Sequence, residues 1–210
     1  MNIIEREQTK YNLLHKKPKY GGRTGRTKMF RKADDKFHKV VKIALSESDT
    51  LLDIGCGKGA FIDLFHSMYP KIKIKGCDIA EEVKRTRKDL DIDICSAHDL
   101  PYDDNTFDIV CHMDGMEHIP SEIEDQVLRE GVRVSKEWIY HTTAIHEVKH
   151  HDDEYEALGL GAVHINMKTV KEWKRKFIEL SEAEDLDFVS FLGDEYWIHA
   201  LLRKRPNGLS

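Results

Sequence analysis

The stretch Thr50-Leu51-Leu52-Asp53-Ile54-Gly55-Cys56-Gly57-Lys58-Gly59 decides the fold of this chain. It begins as a short apolar run, typical of a buried strand, whose carboxyl end carries the acid Asp53. Glycine then fills alternate positions, and a helical pattern begins near Ala60. Glycine permits a sharp turn and a close approach of the backbone to a ligand. Because open α/β sheets bind ligands at the carboxyl ends of their strands, the stretch predicts a site for a nucleotide-like cofactor.

Apolar runs and helical patterns alternate on both sides of this unit. Strands are predicted at 50–54, 72–77, 92–95, 107–112 and 138–144, and helices near 59–69, 80–89 and 121–134. Strands that alternate with helices indicate βαβ units and a parallel sheet. The crossovers between parallel strands are expected to be right-handed.

The last part of the chain has a different pattern. Residues 168–182 place apolar side chains on one helical face, and two strand-like runs follow, Asp187–Leu192 and Tyr196–Arg203. A tight turn that contains Gly193 joins the two runs, which predicts a hairpin. The sheet is therefore expected to end in an antiparallel pair.

Composition indicates one globular domain of ordinary type. The chain has 210 residues, of which 40% are hydrophobic and 34% charged. No apolar run approaches the roughly 20 residues that a membrane helix needs, and the first ten residues do not resemble a signal peptide. The four cysteines lie in apolar runs without the paired spacing of zinc sites, so we expect buried thiols in a reducing, cytoplasmic compartment.

The charge is unevenly distributed along the chain. Residues 1–45 contain 13 lysines and arginines against four acids, whereas the whole chain has a net charge of −5. We predict that residues 1–45 form a basic arm or lid and that 46–210 form the main domain. A solvated leader is the alternative, and a basic lid would favour an anionic acceptor.

Four motifs in order give the chain a family resemblance. They are the glycine stretch, Gly76-Cys77-Asp78-Ile79, the run Leu100–Val110 (LPYDDNTFDIV) and Met116-Glu117-His118-Ile119-Pro120. With them the chain resembles the class I S-adenosylmethionine-dependent methyltransferases from about Asp49 to its end. The resemblance implies a doubly wound α/β fold with seven strands in the order 3-2-1-4-5-7-6, strand 7 antiparallel, and helices on both faces.

The resemblance also implies the cofactor, S-adenosylmethionine, and the residues that bind it. Asp78 would accept hydrogen bonds from the ribose hydroxyls, Asp53 would orient the ammonium group, and the glycine turn would approach the methionine portion. Adenine would lie near Ser96, and Met113 and His118 near the ring and the sulfonium. The predicted cofactor-binding set is Asp53, Gly55, Cys56, Gly57, Asp78, Ile79, Ser96, Ala97, His98, Met113 and His118.

A nicotinamide enzyme is the alternative at the first motif alone. Gly55, Gly57 and Ala60 satisfy a loose dinucleotide fingerprint. The acid directly before the turn and the lack of a second nucleotide-binding half oppose this alternative, as does the Leu100–Val110 run. Methyl transfer is therefore the favoured activity.

Histidines supply candidates for the acceptor chemistry. Of the 12 histidines, seven lie between positions 112 and 164, and His141 and His146 lie at and just beyond the fifth strand. A neutral imidazole there could remove a proton from an oxygen acceptor. His146 is the first candidate for the base and His141 the second, with a polar cleft lined by hydrogen-bonded histidines as the alternative.

The segment 146–154 mixes imidazoles with carboxylates and could instead bind a metal ion. Lys149 and the dense opposite charges favour a solvated loop, so no metal site is assigned. We expect a small polar acceptor that is methylated on oxygen or, as second choice, on nitrogen. A nucleic-acid methyltransferase that uses the basic arm and a non-catalytic cofactor-binding regulator are the two rival functions, and no membrane partner is expected.

Overall fold

The computed structural model describes residues 1–17, 20, 36–145 and 156–206. It contains one seven-stranded sheet with the strand order β3-β2-β1-β4-β5-β7-β6. β7 is antiparallel to both of its neighbours, and the other paired strands are parallel. The predicted strand order and the antiparallel strand 7 are thus confirmed. The strands are β1 (Thr50–Ile54), β2 (Lys73–Asp78), β3 (Ile92–Ile94), β4 (Phe107–Met113), β5 (Ser135–Ala144), β6 (Leu186–Gly193) and β7 (Trp197–Lys204).

Helices cover both faces of this sheet. Two apolar clusters, one on each face, join the sheet to the helices. Within the described residues the helices are α1 (Ile3–Lys16), α2 (Lys36–Ser46), α3 (Ala60–Met68), α4 (Glu81–Thr86), α5 (Glu124–Val134) and α6 (Val170–Ala183), with a 3₁₀ turn at Met116–His118. No helix in this part of the chain is long and apolar enough to cross a membrane.

The central strands are apolar because helices cover them on both sides. In β1 four of five residues are buried, and alternate side chains enter different clusters. Leu51 packs with α2 and α3, whereas Leu52 packs on the opposite face. Parallel strands that are buried on both faces are typically continuous apolar runs.

Asp108, the last acid of the Leu100–Val110 run, links the start of β1 to β4 through hydrogen bonds. Asp108 accepts hydrogen bonds from the backbone N–H groups of Asp49 and Thr50, at 3.0 and 2.8 Å, and from the Thr50 hydroxyl at 2.8 Å. Arg133 in α5 donates to the carbonyls of Leu100 and Tyr102, at 3.0 and 2.7 Å. This run therefore fixes the start of the two central strands.

Several element boundaries differ from the prediction by a few residues, and two of these differences have clear local reasons. β5 begins at Ser135 rather than at 138, because α5 passes directly into it and an irregularity in its pairing with β4 absorbs the added residues. α6 begins after Thr169, whose hydroxyl accepts from Glu172 N while the Glu172 carboxylate accepts from Thr169 N. This capping box fixes the first turn of α6.

Most of the described residues of 1–45 lie in helices α1 and α2, which pack on the rest of the chain. In α1, Leu14 is buried against Leu160 and Val163. In α2, Val41 and Leu45 are fully buried in the cluster beneath β1. The division of the chain at residue 45 remains a prediction.

Two histidines of adjacent strands lie stacked inside the core. His112 in β4 and His141 in β5 have ring centroids 4.8 Å apart, and His141 also stacks on Phe177 of α6. A Cβ added at Gly131 in α5 would lie 2.9 Å from His112 Cε1, so glycine allows this helix to approach the ring. Neither ring has a hydrogen-bond partner among the described residues. Burial lowers the pKa of His112 from 6.5 to about 3, and that of His141 falls well below 6.5 for the same reason.

Acid should therefore destabilise the protein through these rings. Their stabilising contribution is present above pH 6.5 and is lost as the pH falls from 6.5 towards 3, because only the unfolded chain binds their protons readily. For each extra proton that the unfolded chain binds, the free energy of unfolding falls by about 1.4 kcal/mol per unit decrease in pH. Chemical denaturation at pH 7.5 and at pH 5 measures the free energy of unfolding. This free energy should fall less between the two pH values for His141→Leu than for the natural chain. Substitution of the exposed His66 by Leu is the control, and an equal loss in all three proteins would contradict the prediction.

Candidate active site

The glycine turn after β1 adopts a backbone that favours glycine. Gly55, Gly57 and Gly59 have φ angles of 70°, 50° and 74°, in the left-handed region. The N–H groups of Gly55 and Cys56 donate to the Cys77 carbonyl at 2.8 and 3.0 Å. The turn therefore folds back over the carboxyl end of β2, and α3 begins directly after it.

Asp78 fastens this turn to β2. Its Oδ2 accepts from Gly57 N at 2.9 Å and its Oδ1 from Ala80 N at 2.9 Å. The side chain is buried, and Ile79 beside it is half-buried. Each carboxylate oxygen retains a lone pair after accepting one hydrogen bond. Binding of the ribose hydroxyls by Asp78 remains a prediction that this geometry permits.

Asp53 is the most unusual charge at the site. It is 1% exposed, and neither carboxylate oxygen has a hydrogen-bond partner among the described residues. Burial, and secondarily the charge of Asp78, raise the pKa of Asp53 well above its usual range. A buried carboxylate is costly unless a cation or donor group meets it. An ammonium group such as that of S-adenosylmethionine supplies such a partner, so the residues present fit this cofactor.

The residues predicted to flank adenine lie beside Asp78. Cys95 N donates to the Asp78 carbonyl at 3.1 Å, which places the following turn next to the acid. In that turn Ser96 Oγ and His98 Nδ1 are 2.6 Å apart, and Ala97 is half-buried between them. The chain thus brings Ser96, Ala97 and His98 to the edge of the site, while their contacts with adenine remain a prediction.

Three other predicted residues lie on different sides of the site. Cys56 packs with Ile62 and Ala80 beneath the turn. Met113, at the end of β4, is 5% exposed and packs in the cluster under α2 and α3. His118 is half-buried in the 3₁₀ turn after β4, and its Nδ1 lies 3.0 Å from the Val163 carbonyl oxygen.

Helix α1 lies across the glycine turn. A Cβ added at Gly57 would lie 3.4 Å from His15 Cε1, and the Tyr11 ring meets the His118 ring edge-on at 5.9 Å. Asn12 Oδ1 accepts from Glu82 N at 3.1 Å, which fastens α1 to α4. Burial lowers the pKa of His15, although the nearby Asp78 opposes the shift. The aromatic and basic pattern of the arm was the only sequence signal for these contacts.

The two predicted bases have different outcomes. His146 lies outside the described residues. His141 is 0% exposed and lies between His112 and Phe177, beneath α5 and α6. The structure therefore does not bring His141 to the glycine turn, and its role as a base remains a prediction.

Glu117 is a site residue that the sequence did not single out. It is 0% exposed, and its carboxylate accepts from Thr143 Oγ1 at 2.6 Å and from Ala144 N at 3.1 Å. These bonds tie the 3₁₀ turn after β4 to the end of β5. The only signal in the sequence was the position of Glu117 directly before His118, in the motif after β4.

Comparisons with known proteins identify relatives of this chain. Residues 52–137 match the family described as methyltransferase domain. Over 66 residues the chain is 35% identical to the ubiquinone/menaquinone biosynthesis C-methyltransferase UbiE of Desulfotalea psychrophila. The matched stretch covers 29% of this chain and 27% of that protein. The chain thus spans about a quarter of the length of the curated relative it matches.

Solved structures show the same fold. A S-adenosylmethionine-dependent methyltransferase from Aquifex aeolicus matches with a TM-score of 0.54 and 21% identity over 84% of this chain and 97% of that one. A second match is a chain in the complex between the Haloferax volcanii Trm112 methyltransferase activator and the putative methyltransferase. Its TM-score is 0.60 at 15% identity, and the match covers 92% of this chain and 96% of that one. The matched domain and the shared fold confirm the resemblance stated from the sequence.

The buried charge at Asp53 gives a stability prediction. An acid whose pKa is raised on folding destabilises the protein once the pH exceeds its unfolded pKa of about 3.9. Asp53→Asn removes the charge at nearly the same volume, so the melting temperature of the ligand-free protein at pH 7 should rise. Glu47 is exposed, so the control Glu47→Gln should leave the melting temperature unchanged. A lower melting temperature for Asp53→Asn would show that the carboxylate has a stabilising partner.

Proposed function

We propose that this class I S-adenosylmethionine-dependent methyltransferase transfers the methyl group to an oxygen of a small polar acceptor. The observation that carries the cofactor part of this proposal is the pair of buried carboxylates at the glycine turn, Asp53 and Asp78. Asp53 has no partner among the described residues and suits the ammonium group, while Asp78 retains lone pairs for hydroxyls. Transfer of a methyl group is an in-line displacement, so the residues contribute mainly by holding the reactants in position.

The choice of oxygen over nitrogen rests on the proposal of a histidine base near the acceptor. An oxygen acceptor must lose its proton, and a neutral imidazole can take it at neutral pH. The ring of His118, in the turn after β4, meets the ring of His164, and His146 follows β5 in the sequence. We propose His146 as the base and keep His141 as the second candidate.

We also propose that residues 1–45 act as a lid over the cofactor. The contacts of His15 with the glycine turn and of Tyr11 with His118 support this role. Lys58 Nζ donates to the Lys17 carbonyl at 2.9 Å, so the turn itself also holds the arm. Four free thiols, three of them buried, support a reducing, cytoplasmic location.

A nucleic-acid acceptor is less well supported. Lys10, one of the basic residues of the arm, is fully buried, where it pairs with Glu7 at 2.6 Å and donates to the Ala162 carbonyl at 2.9 Å. That ammonium group is therefore used within the protein and not offered to phosphates. Strong dependence of acceptor binding on salt would favour the nucleic-acid alternative.

Asp78→Ala should abolish most of the affinity for S-adenosylmethionine. Loss of two hydrogen bonds to a charged acceptor predicts a decrease on the order of 100-fold, measured by isothermal titration calorimetry. Asp91→Ala, which removes an exposed acid directly before β3 and away from the glycine turn, is the control. Circular dichroism checks that both variants fold, and unchanged affinity in folded Asp78→Ala would refute the cofactor assignment.

Label from methyl-labelled S-adenosylmethionine should enter the small-molecule fraction of a cell extract. The extract is separated into metabolite, RNA and DNA fractions, and each fraction is incubated with enzyme and labelled cofactor. The methylated product is then identified by mass spectrometry. His146→Ala should lower the rate of labelling at least about tenfold, since general bases contribute 10²–10⁴-fold, while cofactor affinity stays unchanged.

Label in RNA or DNA alone would replace the proposed acceptor by the nucleic-acid alternative. Cofactor binding without label in any fraction would favour the regulatory protein. Full labelling by His146→Ala would show that another group serves as the base.

A further inference from the structure

We propose that Glu117, His118 and His164 bind one divalent transition-metal ion at the carboxyl edge of the sheet. Each side chain offers one ligand atom, and these atoms lie within 4.8 Å of one another. Two imidazoles and one carboxylate suit ions such as Zn²⁺, Co²⁺ and Fe²⁺. The sequence assigned no metal site, and the segment it offered as an alternative, 146–154, does not include these residues.

The Glu117 carboxylate is oriented before any ion binds. Thr143 Oγ1 donates to its Oε2 at 2.6 Å and Ala144 N to its Oε1 at 3.1 Å, both from the end of β5. Each oxygen can accept a second partner, so these bonds position the carboxylate and leave capacity for a metal ion. Hydrogen bonds to a ligating carboxylate are a usual part of protein metal sites.

The His118 ring presents the nitrogen that a metal ion requires. Its Nδ1 lies 3.0 Å from the Val163 carbonyl oxygen. Because a carbonyl oxygen only accepts hydrogen bonds, Nδ1 carries a proton, and in the neutral ring the lone pair therefore lies on Nε2. Imidazoles that ligate metals typically donate their other N–H group to a carbonyl or a carboxylate in this way.

Backbone bonds on both sides of His164 bring it to the other two residues. Val163 accepts the bond from His118, and the N–H groups of Ile165 and Asn166 donate to the Glu117 carbonyl at 3.0 and 3.1 Å. The His118 and His164 rings meet edge-on with centroids 4.8 Å apart. The three ligands are therefore held together by the fold rather than by chance proximity of surface side chains.

A purely structural role explains only part of this arrangement. The bonds from Thr143 and Ala144 would tie the turn to β5 without any histidine nearby. They do not account for two imidazoles beside a fully buried carboxylate, one of them with its tautomer set by a carbonyl. A bound cation would also offset the burial of the Glu117 charge.

The position of the ion gives it a use that rests on the proposed function. The Tyr11 ring contacts His118, and on the same helix His15 contacts the glycine turn, so the three ligands border the cofactor site. An ion with three protein ligands keeps positions open for oxygen atoms of an acceptor and lowers the pKa of a bound hydroxyl. Such a site selects acceptors with two neighbouring oxygens, for example a vicinal diol or a hydroxy acid.

Direct titration with Co²⁺ tests the site. The full chain is stripped with a chelator, dialysed and titrated, with calorimetry for stoichiometry and visible absorption for the coordinated ion. We expect one Co²⁺ per chain, and His164→Ala should weaken binding at least about tenfold. His66→Ala removes an exposed histidine of α3 and should bind Co²⁺ as the natural chain does.

Two results would overturn the site. One is a natural chain that folds but does not bind Co²⁺ in stoichiometric amount, and the other is a folded His164→Ala variant with unchanged affinity. His164→Gln serves as a second variant if His164→Ala unfolds. Neither S-adenosylmethionine nor acceptor is present in the titration, so its failure leaves the proposed methyl transfer standing. Conversely, Co²⁺ binding would persist if Asp78→Ala disproved the cofactor.

Discussion

The hydrogen bonds from Gly57 N and Ala80 N to the Asp78 carboxylate are the junction on which the rest of the site depends. They join the turn after β1 to the end of β2, and the turn can reach this position because its glycines adopt positive φ. The segment after β3 starts beside the same acid, through Cys95 N. His15 of α1 contacts the same turn at Gly57. The glycine turn, the proposed adenine edge and the proposed lid are thus arranged around one carboxylate.

Asp53 illustrates the conflict between stability and binding. Most buried charges in proteins have a partner, and an unpartnered one costs free energy. Here the neighbouring Asp78 raises that cost further. Residues that break such a rule without structural compensation are expected mainly at functional sites. The electrostatic cost at Asp53 is therefore itself an indication that a cation belongs there.

Histidines of this chain take two opposite roles that their residue type alone does not distinguish. His112 and His141 lie in register on β4 and β5, stacked in an apolar layer beneath α5 and α6. His118 and His164 lie on connecting segments at the carboxyl edge, where carbonyl and carboxylate groups surround them. Burial without partners favours the neutral ring in the first pair, whereas the hydrogen bond to a carbonyl prepares His118 to accept a cation.

The order of the sheet was implied by the family resemblance that the motifs carry. The sequence by itself determined the strand–turn–helix at Thr50–Gly59 and the closing hairpin. These features depend on local periodicity and on glycine, which act over a few residues. Only the tertiary structure decided that His141 lies in the core, that α1 covers the glycine turn, and that His164 reaches Glu117. Those contacts join residues far apart in the chain, so they depend on strand register and on the docking of loops, which no local pattern encodes.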